Sequence, residues 1–222
     1  MDAYKIIRKK ILLGDFSQGQ RLTEEYLCEQ LSISRTPIRE AIRRLESDGL
    51  IMSLKRGVAV RSFTKEDVRQ IYDLRALLEG YAASQAAHNR SEKDINKLQA
   101  TNHAFAEQLA VYDEENKETL ESVVNENRAF HEALIASSKN AHVQMLISKV
   151  TVLPLVYGQF HWNSVVGMER SKAAHDTLIS AIMKKDGERA RSAMLEHIYQ
   201  GRDAVLTHLT KDGKIIEGAE PI

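Results

Sequence analysis

The chain of 222 residues holds one cysteine, three prolines, eleven glycines and one tryptophan, and its 31 basic residues cancel its 31 acidic ones. Each shortage excludes something. The lone Cys28 allows no intramolecular disulfide, and beside Leu27 and Leu31 it reads as a small core residue. Zero net charge rules out a molecule that grips nucleic acid by bulk charge. Neither a secretory leader pattern nor a run of about 18 apolar residues is present, which predicts a soluble, cytoplasmic protein with no membrane partner. Scarce proline and glycine, together with apolar residues at three- and four-residue steps after Thr64, predict a mainly α fold.

What charge there is lies unevenly. Residues 1–61 carry 12 Lys/Arg against 8 Asp/Glu, so the remainder is negative by four. A basic head on a mildly acidic body suits a local DNA-binding surface. The spacing predicts a helix from Tyr4 to Leu13, a second one capped by Thr23, a turn at Ser32-Ile33, and a third helix capped by Ser34. Pro37 falls in the first turn of that third helix, where no intrahelical donor is needed. Residues 51–54 and 58–60 read as two short strands joined at Lys55-Arg56-Gly57, a wing. Six helices are expected beyond it, at about 64–88, 91–112, 115–138, 140–160, 166–185 and 187–209. Thr64 with Asp67, and Ser91 with Asp94, mark two of their starts. The expected division is a winged helix-turn-helix over 1–63, an all-α helical bundle over 64–210, and a frayed tail over 211–222.

The third helix carries the chemistry. Ile38, Ala41, Ile42 and Leu45 form its apolar face, while Arg35, Arg39 and Arg43 recur every four residues on another. A guanidinium fork bonds guanine O6 and N7 together in the major groove. Ser34, Thr36 and the unpaired N–H groups of the helix start suit phosphate. Lys55 and Arg56 can reach the backbone or the minor groove, with Gly57 permitting close approach. Three arginines alone describe any solvated basic face; the turn, the second helix and the wing around them favour DNA. Glu40 and Glu46 are expected to pair locally with Arg39, Arg43 or Arg44.

Three of the eight histidines stand in suggestive places: His131 in ENRAFHEAL, His175 in KAAHDTLISAI and His197 in SAMLEHIYQ. Asn127 precedes His131 by four residues, on the same helix face. His175 and His197 fall on the last two helices, which an antiparallel turn near Gly187 can bring together. Three imidazoles and one oxygen make a Zn²⁺ or Ni²⁺ site inside a bundle, whereas any single histidine is more often a surface or satisfied core residue. His88, His103, His142, His161 and His208 are read as such. Arg75 suits a carboxylate clamp, or an ion pair with Glu79 one turn on. Tyr157 and Trp162 read as pocket walls or as core.

Residues 19–60 resemble the winged helix of GntR-type bacterial regulators. The pattern G-x-x-L-x-E is met by Gly19, Leu22 and Glu24, S-R-T-P-I-R-E-A by Ser34 through Ala41, and L-x-x-x-G-L by Leu45 and Gly49-Leu50. Gly57 stands at the wing. From Phe63 to about Leu209 the chain resembles the FCD effector domain of the FadR-like subfamily, in a VanR-type six-helix variant. The matching residues are Arg75, Leu78 and Glu79, then Asn127, Phe130 and His131, then His175 and His197. This resemblance implies Arg35, Thr36 and Arg39 as the DNA-contacting residues. It also implies a divalent metal on Asn127, His131, His175 and His197, with a small organic anion seated on the metal. Asn127 stands where many members have aspartate, so four neutral ligands would leave the ion its full charge. Glu25 stands where some members place a further arginine.

The resulting expectation is a homodimeric transcriptional regulator of repressor type, bound to double-stranded DNA at a near-palindromic operator and controlled by a small carboxylate or sugar acid. The alternative is a regulator that senses the ion itself. A metal-dependent hydrolytic enzyme is the remote alternative. Asp176, beside His175, is the only carboxylate near the trio, and helix geometry points it elsewhere.

Overall fold

The computed structural model describes residues 2–150 and 165–209. Asp2 starts the first helix, α1 (Ala3–Leu12), by accepting the Tyr4 N–H. Thr23 starts α2 (Glu24–Leu31) by accepting from Tyr26, and Ser32 ends it in the left-handed conformation at φ 54°. The chain turns at once into α3 (Arg35–Ser47), whose Ile38, Ala41 and Leu45 are buried. These three residues, with Ile7, Leu27 and Leu50, form the core of the head.

The wing consists of β2 (Ile51–Ser53) and β3 (Val58–Val60), antiparallel with Ile51 opposite Val60. A further strand, β1 (Arg21–Leu22), pairs with β3 from the other side, giving the sheet order β1-β3-β2. Two residues carry no alternation to read, so only pairing across 36 positions makes this strand visible.

Beyond the wing the described residues form six helices: α4 (Lys65–Asn89), α5 (Glu92–Ala110), α6 (Lys117–Ser137), α7 (Ala141–Val150), α8 (Val165–Met183) and α9 (Gly187–Thr207). Thr64 and Asp67 close a full capping box on α4, and Ser91 and Asp94 do the same on α5. Each box satisfies two backbone donors that a bare helix end would leave unpaired. The expected continuation of α7 to residue 160 lies outside the described residues, as do Tyr157, His161, Trp162 and the tail.

Helices α4 and α9 form the most extensive pair of the bundle. Gly80 makes this possible, because a Cβ there would overlap Leu195 Cδ1. Helix α6 crosses the other side of α4 and packs along α5. The head also touches the bundle, where Lys9 Nζ lies 2.7 Å from Glu121 Oε2 on α6. No described helix is long and apolar enough to cross a membrane.

Candidate functional site

The exposed face of the head is built from α3 and the wing. Arg35, Thr36, Arg39 and Arg43 are all exposed, as are Lys55, Arg56 and Gly57. Ser34 is the exposed N-cap of α3 and makes no side-chain cap bond, so its hydroxyl does not occupy the N–H groups at the helix start. That is the geometry a phosphate oxygen fits. Gly57 has φ +79°, and a Cβ on it would stand 2.9 Å from the Leu22 carbonyl, so glycine is required twice over. Arg21 donates from Nε to the Arg56 carbonyl at 3.1 Å and braces the wing tip.

Arg39 takes its partner from α2 rather than from Glu40 or Glu46. Its Nε lies 3.0 and 2.8 Å from the two oxygens of Glu24, because α2 packs across α3 and brings that carboxylate over. Glu46 instead accepts from the Ser53 hydroxyl, and Arg44 lies over the Tyr4 ring. Arg35 Nη2 lies 3.8 Å from Glu25 Oε1, so that acid sits beside the recognition helix.

The second constellation is inside the bundle. His131 of α6, His175 of α8 and His197 of α9 are all buried, and each offers a ring nitrogen within 4.8 Å of the others. His131 Nε2 is 3.1 Å from His197 Nε2. Two imidazole nitrogens on one ion at about 2.0–2.1 Å stand about 3.3 Å apart in tetrahedral geometry and about 2.9 Å in octahedral geometry. The observed spacing falls between these values. Asn127, one turn before His131, has a buried Oδ1 with no hydrogen-bond partner among the described residues. An orphaned buried carbonyl costs stability unless something binds it. The three imidazoles therefore fit a divalent metal ion, and Asn127 offers an unsatisfied oxygen one helical turn before the first of them.

An ionic pair stands behind His131. Its Nδ1 donates to Glu79 Oε2 at 2.8 Å, which leaves Nε2 with the lone pair a metal needs. Arg75 holds the same carboxylate from the other side, Nε to Oε1 at 2.9 Å, and lies over the Tyr72 ring. Burial alone would raise the Glu79 carboxyl, but Arg75 and His131 outweigh it and hold it down at about 2. Of the two roles read for Arg75, the ion pair one turn on is thus present.

His175 is arranged differently. Its ring stacks on Phe130 with centroids 3.8 Å apart, and its Nδ1 lies 3.2 Å from Asn102 Oδ1 of α5. Asn102 in turn donates to Asp176 at 2.7 Å. Asp176, engaged by Asn102 and Lys172, does not face the trio. The sequence carried no local mark of Asn102, whose partner is 73 residues away. Among the other described histidines, His208 is buried with Nδ1 on the Ala204 carbonyl, and His88, His103 and His142 are exposed.

Comparison with known proteins assigns a family to each part of the chain. Residues 1–60 match the bacterial regulatory proteins of the gntR family, and residues 70–200 match the FCD domain. The chain is 28% identical to the HTH-type transcriptional regulator YdhC of Bacillus subtilis, over 95% of this chain and 92% of that one. It is 24% identical to the transcriptional repressor GlaR of Escherichia coli, over 89% and 91%. Identity to the gluconate operon transcriptional repressor of Bacillus subtilis is 26%, over 91% and 81%. Among solved structures, McbR/YncC of Escherichia coli shares the fold with a TM-score of 0.75 and 23% identity, covering 91% of this chain and 94% of that one.

Proposed function

The chain belongs to the gntR family of bacterial regulators with an FCD domain, a DNA-binding transcriptional regulator and not an enzyme, and we propose that it is a repressor released by a small organic acid bound on a metal ion. The division of labour follows the two constellations. Residues 1–63 read DNA through Ser34, Arg35, Thr36, Arg39 and Arg43, with Lys55, Arg56 and Gly57 at the wing. Residues 64–210 hold the ion on Asn127, His131, His175 and His197, and bind the effector.

The observation that carries the effector class is the charge of the donor set. Asn127 and three imidazoles bring no negative charge, and Glu79 behind them is already balanced by Arg75. A divalent ion there keeps its full charge in a buried place, where an anionic ligand is favoured far more than in water. Bound metal supplies that charge and open coordination positions; the protein's own part is to orient the ligands and exclude water. Arg75, held by Glu79 behind the site, and Tyr157 are the proposed effector-binding residues. Carboxylates and sugar acids are the matching chemistry, and a relative named for a gluconate operon makes gluconate an early candidate. Zn²⁺ and Ni²⁺ are the ions that such ligands favour.

The active species is a homodimer on a near-palindromic operator, its two heads one DNA turn apart. Leu74, Leu77 and Tyr81 support this, since they lie exposed along one face of α4, with Met145 and Leu146 exposed on the adjacent α7. An apolar stripe of this kind on a helix suits a second copy.

The test is thermal unfolding against a panel of small carboxylates and sugar acids, each with Zn²⁺ or Ni²⁺ and each with chelator. An anion that stabilises the protein only with metal present supports the reading. A full shift from metal alone, with nothing added by any anion, makes the ion itself the effector.

A further inference from the structure

The ring of His175 is stacked on Phe130 at 3.8 Å between centroids and flanked by the tilted ring of Phe105 at 5.3 Å. Packing of this kind fixes the plane of an imidazole. It does not fix which edge points where, nor which nitrogen carries the proton, because a half-turn about the Cβ–Cγ bond leaves the ring in the same slot. Something polar must make that choice.

The choice can be traced outward by chemistry alone. Asp176 Oδ1 lies 2.7 Å from Asn102 Nδ2, and its Oδ2 lies 2.7 Å from Lys172 Nζ. An ionised carboxylate only accepts hydrogen bonds, so the atom of Asn102 that faces it must be the amide nitrogen. Asn102 Oδ1 then faces the other way, 3.2 Å from His175 Nδ1, and a carbonyl oxygen also only accepts. The proton therefore sits on Nδ1, and Nε2 keeps its lone pair. The chain begins on Asp176, whose side chain is 49% exposed, and ends on an imidazole with no exposure at all.

We propose that Asn102 is a positioning residue which, oriented by Asp176, holds His175 with its proton on Nδ1 and offers Nε2 as the metal-binding atom. The inference rests on the metal reading given above and deepens it. His131 is set to the same tautomer by direct contact with Glu79, so two ligands from different helices are prepared for metal by two independent carboxylates. One carboxylate is buried within the bundle. The other acts from the surface through an amide.

Two readouts test this. In the metal-free full-length protein, the imidazole ¹⁵N spectrum of His175 is expected to show a single Nδ1–H tautomer. Asp176→Asn keeps the size of the side chain but removes the group that orients the amide. It is expected to give a mixture of tautomers and to weaken Zn²⁺ binding, read by competition with a chromophoric chelator, by about tenfold; loss of an outer-shell partner typically costs about 10- to 100-fold. The exchanged pair Asn102→Asp with Asp176→Asn restores an acceptor against Nδ1 and is expected to recover both the single tautomer and most of the affinity. A tautomer unchanged in Asp176→Asn, or an exchanged pair no better than the single variant, overturns the proposal. If the tautomers behave as expected while the wild-type protein binds neither Zn²⁺ nor Ni²⁺, the relay stands and the metal reading fails.

Discussion

His131 and His197, 66 residues apart, place their Nε2 atoms 3.1 Å from each other inside the bundle. With the His131 proton committed to Glu79, its Nε2 turns a lone pair toward its neighbour. Without metal, the His197 Nε2–H donates to that lone pair; a shared cation takes the place of this proton at nearly the same spacing. Metal is accordingly expected to stabilise the protein. At a hundredfold excess over Kd the gain is about 2.7 kcal/mol, or about 5–10 °C in the unfolding midpoint for a chain of this size. Chelator should remove the shift, and His197→Ala should abolish it while the secondary structure by circular dichroism is unchanged. An equal shift in His197→Ala would place the metal elsewhere.

Asn127→Asp replaces a neutral oxygen by a charged one at the same place. Zn²⁺ affinity is expected to rise by at least tenfold, and anion affinity at saturating metal to fall, because half of the ion's charge is then met by the protein. Paired calorimetric titrations, metal first and anion second, read both quantities. If anion binding weakens no more than metal binding changes, the charge argument for an anionic effector fails.

Arg39 is exposed on α3 and anchored by Glu24. Arg39→Ala is expected to cost about 1–3 kcal/mol of specific operator binding, with dimerisation and effector affinity intact. Leu77→Glu, on the exposed stripe of α4, is expected to shift sedimentation toward monomer and, because the dimer is the DNA-binding species, to weaken operator binding with effector affinity intact. DNA binding by fluorescence anisotropy, set beside sedimentation, separates the two. Simultaneous loss of every property in either variant indicates a folding defect.

Acid should act at the start of α5. Burial would raise the Asp94 carboxyl, but the bond from Lys139 and the two from Ser91 outweigh it and hold it down at about 2. A carboxyl depressed on folding stabilises the protein above its ordinary value, and the contribution is lost as pH falls from about 4 toward 2. Asp94→Asn should therefore lower the unfolding free energy at pH 7 by about 1 kcal/mol for the lost cap. The gap to wild type should narrow at pH 4 and again at pH 3. A gap constant with pH would remove Asp94 from the acid response.

Local chemistry was legible in the chain, and long-range pairing was not. The caps at Thr64 and Ser91 and the Arg75–Glu79 pair lie within four residues and could be read directly. The apolar periodicity of α3 likewise marks its buried face, and by elimination its exposed arginines. Glu24 with Arg39, Glu79 with His131, and Asn102 with His175 are 15, 52 and 73 residues apart. Nothing near any of these residues in sequence announces its partner. Helical placement picks out His131, His175 and His197 among the eight histidines, and the resemblance to the FCD domain is what joins them into one site.

The linker has consequences for how motion passes through the molecule. Strand β3 ends at Val60 and α4 begins at Lys65, its first turn locked by the Thr64–Asp67 box, so there is little slack between wing and bundle. The same helix runs unbroken to Glu79, which lies about 21 Å from its start at the usual helical rise. This stretch of α4 is thus an arm that joins the wing to the carboxylate behind the candidate metal site. A tilt of about 5° pivoting at Glu79 carries the start of α4 through about 2 Å, and the wing with it. Displacements too small to disturb the bundle's packing are, at the far end of this arm, large enough to move a side chain out of hydrogen-bonding reach of a base.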